Sequence, residues 1–271
     1  MKRRKRAALC VVLSGAVTVV SIILMRMAAG PALPPYTLGN ADGFKSSMVW
    51  FELATTREEI FENLGPFNSP EGQALRKQID TTNYYDFGFM VCYSLFNASL
   101  IYFVTHLNLY RFRGLLKLRV FMALGLILSC AMLLGDFLEN QQLLDLSKVH
   151  EPGGVLLSTL TALVYWTRVK WGAIFVTALM LCAGYTAYFR RIPTLMIPAL
   201  YAVAGVSGLA AISLPSARPV LESISVPAIT FAWVSSLCHA GVVWVRGPAA
   251  FPLPANHTPR TAPEAAPQLE G

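Results

Sequence analysis

The apolar stretches of this chain are too long to sit inside a water-soluble domain. From Leu118 to Leu134 there is one charged residue, Arg119, at the edge of the run; then Gly135-Asp136-Phe137-Leu138-Glu139-Asn140 turns it polar. Similar runs cover about Ala7–Leu24, Tyr84–Thr105, Pro193–Leu214 and Ile224–Val245. A hydrocarbon core of about 30 Å needs roughly 20 apolar helical residues. In lipid every backbone polar group must be satisfied within the structure, so such segments are helices or closed barrels. The runs are continuous rather than alternating, which selects helices. Composition agrees: 55% of the 271 residues are hydrophobic and 14% are charged, whereas soluble domains carry about 25% charged residues.

The fold expected is an all-α, polytopic membrane helix bundle of about six transmembrane helices. A basic block, Lys2 to Arg6, and a membrane anchor fill residues 1–29, and the anchor reads as uncleaved. Residues 30–83 form a small extracytoplasmic helical lid, 84–246 the membrane bundle, and 247–271 a Pro- and Ala-rich disordered cytoplasmic tail. Within the lid, Thr56-Arg57-Glu58-Glu59 is a capping box whose helix Gly65 closes. Ser69-Pro70 starts a second lid helix, with Ser69 as N-cap and Pro70 at the first helical position. Apolar Phe51, Leu53, Ile60, Phe61, Leu64, Leu75 and Ile79 give the lid a face to bury on the outer ends of the spans.

One segment is ambiguous. Val155 to Trp166 is apolar, Thr167-Arg168-Val169-Lys170 interrupts it, and Trp171 to Phe189 is apolar again. A single helix over all of it would be far longer than the bilayer core is thick. The reading is an interfacial or re-entrant helix over 155–167 and a fourth span over 170–189. Polar residues 141–154 connect the third span to it, and Pro198 and Pro227 kink their helices.

Orientation follows from the basic residues. Lys2–Arg6, Arg111, Arg113, Lys117, Arg119, Arg190 and Arg191 fall on one side together with Arg246 and Arg260. That side is cytoplasmic by the positive-inside rule. Of the 15 acidic residues only Glu264 and Glu270 fall there. Both termini are then cytoplasmic in a multi-pass protein of the cell inner membrane. The net charge of +7 is accounted for by these clusters. No basic stripe interleaved with aromatics marks a nucleic-acid surface. Cys10, Cys92, Cys130, Cys182 and Cys238 lie singly in apolar runs, without metal-ligand spacing, and read as small buried hydrophobes.

The candidate site is at the outer face. Asp136, Glu139 and Asn140 stand at i, i+3 and i+4, on one helical face. The topology brings Asp80, Asp86, Lys170, Trp171 and Glu222 to similar depth. Ionisable groups at membrane depth are costly and default to a functional hypothesis. The binding set is Asp86, Asp136, Glu139, Asn140 and Lys170, and the alternative is a solvated rim with a structural lysine–carboxylate pair. A metal site from Asp136, Glu139 and His150 lacks a recognised spacing, so no metal is assigned, and nothing names a cofactor. Gly205-Val206-Ser207-Gly208 with His239 is similar to the G-x-S-G and later His of rhomboid proteases. Ser207 and His239 fall at different depths, and small-residue helix packing accounts better for the glycines.

Trp50-Phe51-Glu52-Leu53-Ala54, Gly135-Asp136 with Glu139-Asn140, and Lys170-Trp171 together resemble a group of uncharacterised bacterial multi-pass inner-membrane proteins. The resemblance covers roughly residues 45–190. It implies a bacterial inner-membrane setting and brings no activity. The function expected is binding or passage of a small polar ligand, ion or lipid headgroup at an outer-face carboxylate-rich pocket. A membrane enzyme acting on a lipid or quinone, with Asp136 or Glu139 as acid/base, and an assembly partner without ligand are the alternatives. The lipid bilayer is the one partner expected outright, and the oligomeric state is left open.

Overall fold

The computed structural model describes residues 2–37, 43–108, 115–188 and 195–247. Among them are six helices long and apolar enough to cross a membrane. These are α1 (Lys2–Ala29), α4 (Pro70–Leu107), α5 (Leu115–Leu146), α6 (Leu157–Tyr188), α7 (Met196–Ser213) and α8 (Val226–Arg246, entered through a π-helical turn Leu221–Ser225). Two short helices, α2 (Ser47–Glu52) and α3 (Arg57–Leu64), lie between α1 and α4. No strand occurs among the described residues. The all-α membrane bundle read from the sequence is the fold observed.

Each long helix packs on the next in chain order, and α8 returns to α1. The result is a closed ring, as short antiparallel connections favour. Close approach is secured by glycines. A Cβ on Gly205 would meet Leu179 Cγ at 2.6 Å, and one on Gly208 would enter the Phe175 ring, so the small residues of α7 are packing surfaces against α6. Basic side chains of α1 reach carbonyls at the ends of other helices. Arg4 donates to the His106 and Leu107 carbonyls at 3.1 Å each, satisfying the C-terminal turn of α4.

Three helices outrun the bilayer on the lid side. At 1.5 Å per residue, the 38 residues of α4 span about 57 Å and the 32 residues of α6 about 48 Å. This overturns three expectations. The helix starting at Pro70 is not a separate lid element but the N-terminal part of α4. Residues 141–146 are not a connection but the end of α5. Residues 155–167 are not an interfacial or re-entrant helix; 157 onward is continuous with the fourth span. The common reason is that polar residues end a membrane span without ending a helix. Where the extension has a neighbour to pack on, the backbone hydrogen bonds continue.

That neighbour is the lid. Its apolar residues divide between two cores. Trp50, Leu53 and Phe44 join the membrane core. Phe51, Ala54, Ile60 and Leu64 form a second core with Ile79 of α4, Leu143 and Leu146 of α5, and Leu160 and Leu163 of α6. Local signals behave as expected. The Thr56/Glu59 capping box is formed, Gly65 closes α3 at φ +68°, and Ser69 caps α4. Arg76 then donates to the Leu64 and Gly65 carbonyls at 3.0 and 2.9 Å, tying the end of α3 to α4. Arg218, after α7, reaches the lid from the other side and bonds Glu59 through both terminal nitrogens, at 3.2 and 2.6 Å.

Other expectations change. Pro198 is the third residue of α7, where an absent N–H leaves no intrahelical bond unmade, whereas Pro227 lies inside one continuous helical run, Leu221–Arg246. The chain immediately before Pro227 is in π-helical register. The cysteines are not buried: Cys10, Cys130 and Cys238 are exposed, and Cys92 and Cys182 are intermediate. The basic loop residues Arg111 and Arg113, with Arg190, Arg191 and the tail 248–271, lie outside the described residues.

Candidate functional site

The site lies where the two apolar cores meet. It starts from a glycine. A Cβ on Gly135 would sit 2.8 Å from the backbone nitrogen of Lys170 and 3.1 Å from its Cα. Only glycine lets α5 and α6 cross this closely, and the crossing brings the next turn of α5 onto the Lys170 side chain. Asp136 and Glu139 then flank the ammonium: Lys170 Nζ is 3.3 Å from Asp136 Oδ1 and is ion-paired with Glu139 Oε2. A third carboxylate arrives from the lid. Glu52, the last residue of α2, accepts from Lys170 Nζ and from Trp171 Nε1, both at 3.1 Å and both on Oε2.

Neutral donors complete the set. Tyr93 of α4 donates its hydroxyl to Asp136 Oδ2 at 2.8 Å. Thr167 donates to Glu139 Oε1 at 2.6 Å and lies 3.1 Å from the Glu52 carbonyl. The Lys170 ammonium also stands 5.0 Å from the Trp171 ring centroid, within cation–π range. At the edge, Asn140 donates to Asp86 Oδ2 at 2.7 Å. Glu139 is 0% exposed, Asp136 2%, Lys170 5% and Glu52 9%. So one ammonium contacts three buried carboxylates, with a fourth, half-buried Asp86, beside them. Ions buried this deeply persist only when paired and hydrogen-bonded.

The five residues expected from sequence are therefore gathered in one place, with Lys170, Asp136 and Glu139 in direct contact and Asn140 and Asp86 paired alongside. Asp80 and Glu222 are not part of it. Asp80 accepts from Ser147 at 2.6 Å, and Glu222 accepts from the Lys45 amide at 2.8 Å. His150 stacks on Phe67, with ring centroids 3.6 Å apart. Ser207 bonds Ser225 at 2.9 Å, while His239 packs among Phe103, Tyr185 and Tyr188.

Sequence reasoning missed Glu52, Tyr93 and Thr167. Glu52 carried a signal, since it is the lone carboxylate in Met48-Val49-Trp50-Phe51-Glu52-Leu53-Ala54. A charge inside an apolar run calls for a partner. Tyr93 and Thr167 had none, because tyrosine and threonine are ordinary in apolar helices. The segments around Glu52, Asp136 and Lys170, far apart in the chain, converge on one ion cluster.

Beside the cluster an open cleft of about 70 Å3 runs between α6, the end of α7 and the lid, with Glu52, Thr167, Arg168 and Arg218 among its lining residues. Glu52 Oε2 is occupied by Lys170 and Trp171, whereas Oε1 has no donor among the described residues. Arg168 is exposed and likewise has no side-chain partner among them. Within the lid, burial pushes the Glu59 carboxyl up. The Arg218 hydrogen bond and charge, with the Thr55 amide and hydroxyl, outweigh that and hold it below its ordinary value of 4.5.

Compared with protein-family models, curated proteins and solved structures, this chain has no match among any of the three.

Proposed function

We propose that this chain is a multi-pass inner-membrane protein that binds a small, positively charged polar group at its outer-face carboxylate cluster. The observation that carries the reading is the surplus of carboxylates. Lys170 contacts three carboxylates and satisfies the charge of one, and the lid carboxylate Glu52 turns a donor-free oxygen toward an open cleft. A proton or a cation arriving there offsets negative charge held in a poorly solvated layer. The lid is read as extracytoplasmic and both termini as cytoplasmic, because the Lys2–Arg6 block lies at the opposite end of α1 from the lid.

The test is thermal unfolding of the full chain in detergent across a series of chloride salts: sodium, potassium, methylammonium and tetramethylammonium. A compact cation or hydrogen-bonding ammonium should raise Tm, and tetramethylammonium should not. Glu52→Gln should abolish the rise while the helical circular dichroism is kept. Absence of any cation-specific shift would sink the reading and favour a second one. In that reading the cluster is a ligand-free clamp, and the direct pairing of Glu52 with Lys170 supports it. Orientation is checked by labelling Asn68→Cys, in a background without native cysteines, from outside intact cells; labelling only after permeabilisation would reverse it.

A further inference from the structure

Resting on that reading, we infer that the cleft beside Glu52 takes the headgroup of a phosphoethanolamine-type lipid, its ammonium on Glu52 and its phosphate on Arg168. Two independent features meet here. Glu52 is about nine-tenths buried and lines the cleft, and its Oε1 has no donor among the described residues. An unpaired carboxylate oxygen in such a place is an acceptor waiting for a cationic donor, and charge-assisted bonds of this kind are the strong ones. Arg168 lines the same cleft, is exposed, and has no carboxylate or carbonyl partner among the described residues. Its planar fork suits a phosphate better than a lysine would. The cleft therefore offers an acid at its inner wall and a base at its rim, the complement of a zwitterion.

Its position argues for a lipid. The cleft lies against the last turn of α7, Ala211 to Ser213, where that span ends. Headgroups of the outer leaflet occupy this level. The wall between acid and base is apolar, with Val164 and Ile212, and Leu214 at the rim is 55% exposed. Acyl chains leaving the cleft along α7 would meet Val206 and Val203, which are also exposed. A volume of about 70 Å3 admits an ammonium group with a few waters, leaving the phosphate at the mouth. Arg218, held by Glu59 and the Leu53 carbonyl, closes the lid side of the cleft and is not needed for the phosphate.

The experiment uses the full chain in detergent, titrated with phosphatidylethanolamine, phosphatidylcholine, phosphatidylglycerol or soluble O-phosphoethanolamine, and read by native mass spectrometry together with Tm. Phosphatidylethanolamine should be retained at least about tenfold better than the other two lipids, and Arg168→Gln, at an exposed position that tolerates change, should lose about that factor. Equal retention of phosphatidylcholine would overturn the proposal, because a quaternary ammonium cannot donate to Glu52. Equal or better retention of phosphatidylglycerol would overturn it as well, leaving simple anion binding. O-phosphoethanolamine binding as tightly as the lipid would make the ligand a free zwitterion and the lipid assignment wrong. If methylammonium still raises Tm while no lipid is preferred, this inference fails and the cation-binding reading stands; if neither acts, both fail.

Discussion

Among the described residues, two ion-paired contacts between lid and bundle are built on different plans. On one side Lys170 of α6 meets Glu52 of the lid together with Asp136 and Glu139, with side-chain exposures of 0–11%. On the other, Arg218 meets Glu59 alone, in a two-pronged pair with side-chain exposures of 13% and 16%. The Arg218 pair matches one cation to one anion, and Nη1 also donates to the Leu53 carbonyl, while the buried Nε has no partner among the described residues. The Lys170 cluster instead sets three carboxyl groups around one ammonium. A pure fastening needs nothing beyond a one-to-one pair such as Arg218 with Glu59. A surplus of buried carboxylates makes sense only if something else shares the site, or if fixing three helices and the lid in one arrangement is worth the desolvation.

The widest gap between the two should appear on removing the cation. Lys170→Met leaves three carboxylates facing one another, and breaking a buried pair in this way costs about 3–5 kcal/mol. Lys170→Met combined with Glu139→Gln should then be less damaging than the sum of the two singles. Chemical denaturation in mixed micelles measures the cycle. Additive losses below about 0.5 kcal/mol would show the cluster to be a set of independent residues.

Next comes the geometry that builds the cluster. Gly135→Ala places a Cβ against the Lys170 backbone, and overpacking of this kind costs about 1–3 kcal/mol. A cysteine pair engineered across α5 and α6 away from the site should crosslink more slowly in that variant, since the helices must part. Unchanged stability and crosslinking would mean the close crossing is not required.

The Arg218 pair should respond less. Glu59→Gln keeps the size and loses the charge, for about 1–2 kcal/mol given partial exposure. The smallest effect is its pH dependence. Glu59 is held below its ordinary 4.5, so its contribution is fully present above that value and is lost as pH falls through the lower folded value. Wild type and Glu59→Gln should therefore differ in Tm near neutrality and converge in acid. A constant difference down to pH 2 would show that packing, not charge, sets the effect.

Much of this molecule was legible because the signals are local. A helix cap needs a threonine and a glutamate three residues apart, and the Thr56/Glu59 box formed as its spacing required. Hydrocarbon thickness sets a minimum run length, so the spans could be counted along the chain. Asp136, Glu139 and Asn140 share a face by helical period alone. What could not be read was where helices stop and what their polar residues meet. Residues 157–167 and 70–83 continue their helices because the lid supplies a second core around Phe51, Ile60 and Leu163, and no local rule announces that core.

The sequence by itself determined the helical class, the number of apolar spans and the caps, since all of these follow from short segments. Tertiary structure alone decided that Glu52, 118 residues before Lys170, would complete the cluster. It also decided that Gly135 would let α5 touch the Lys170 backbone. A buried charge must find its counter-charge in three dimensions, and the chain distance between them carries no record of it.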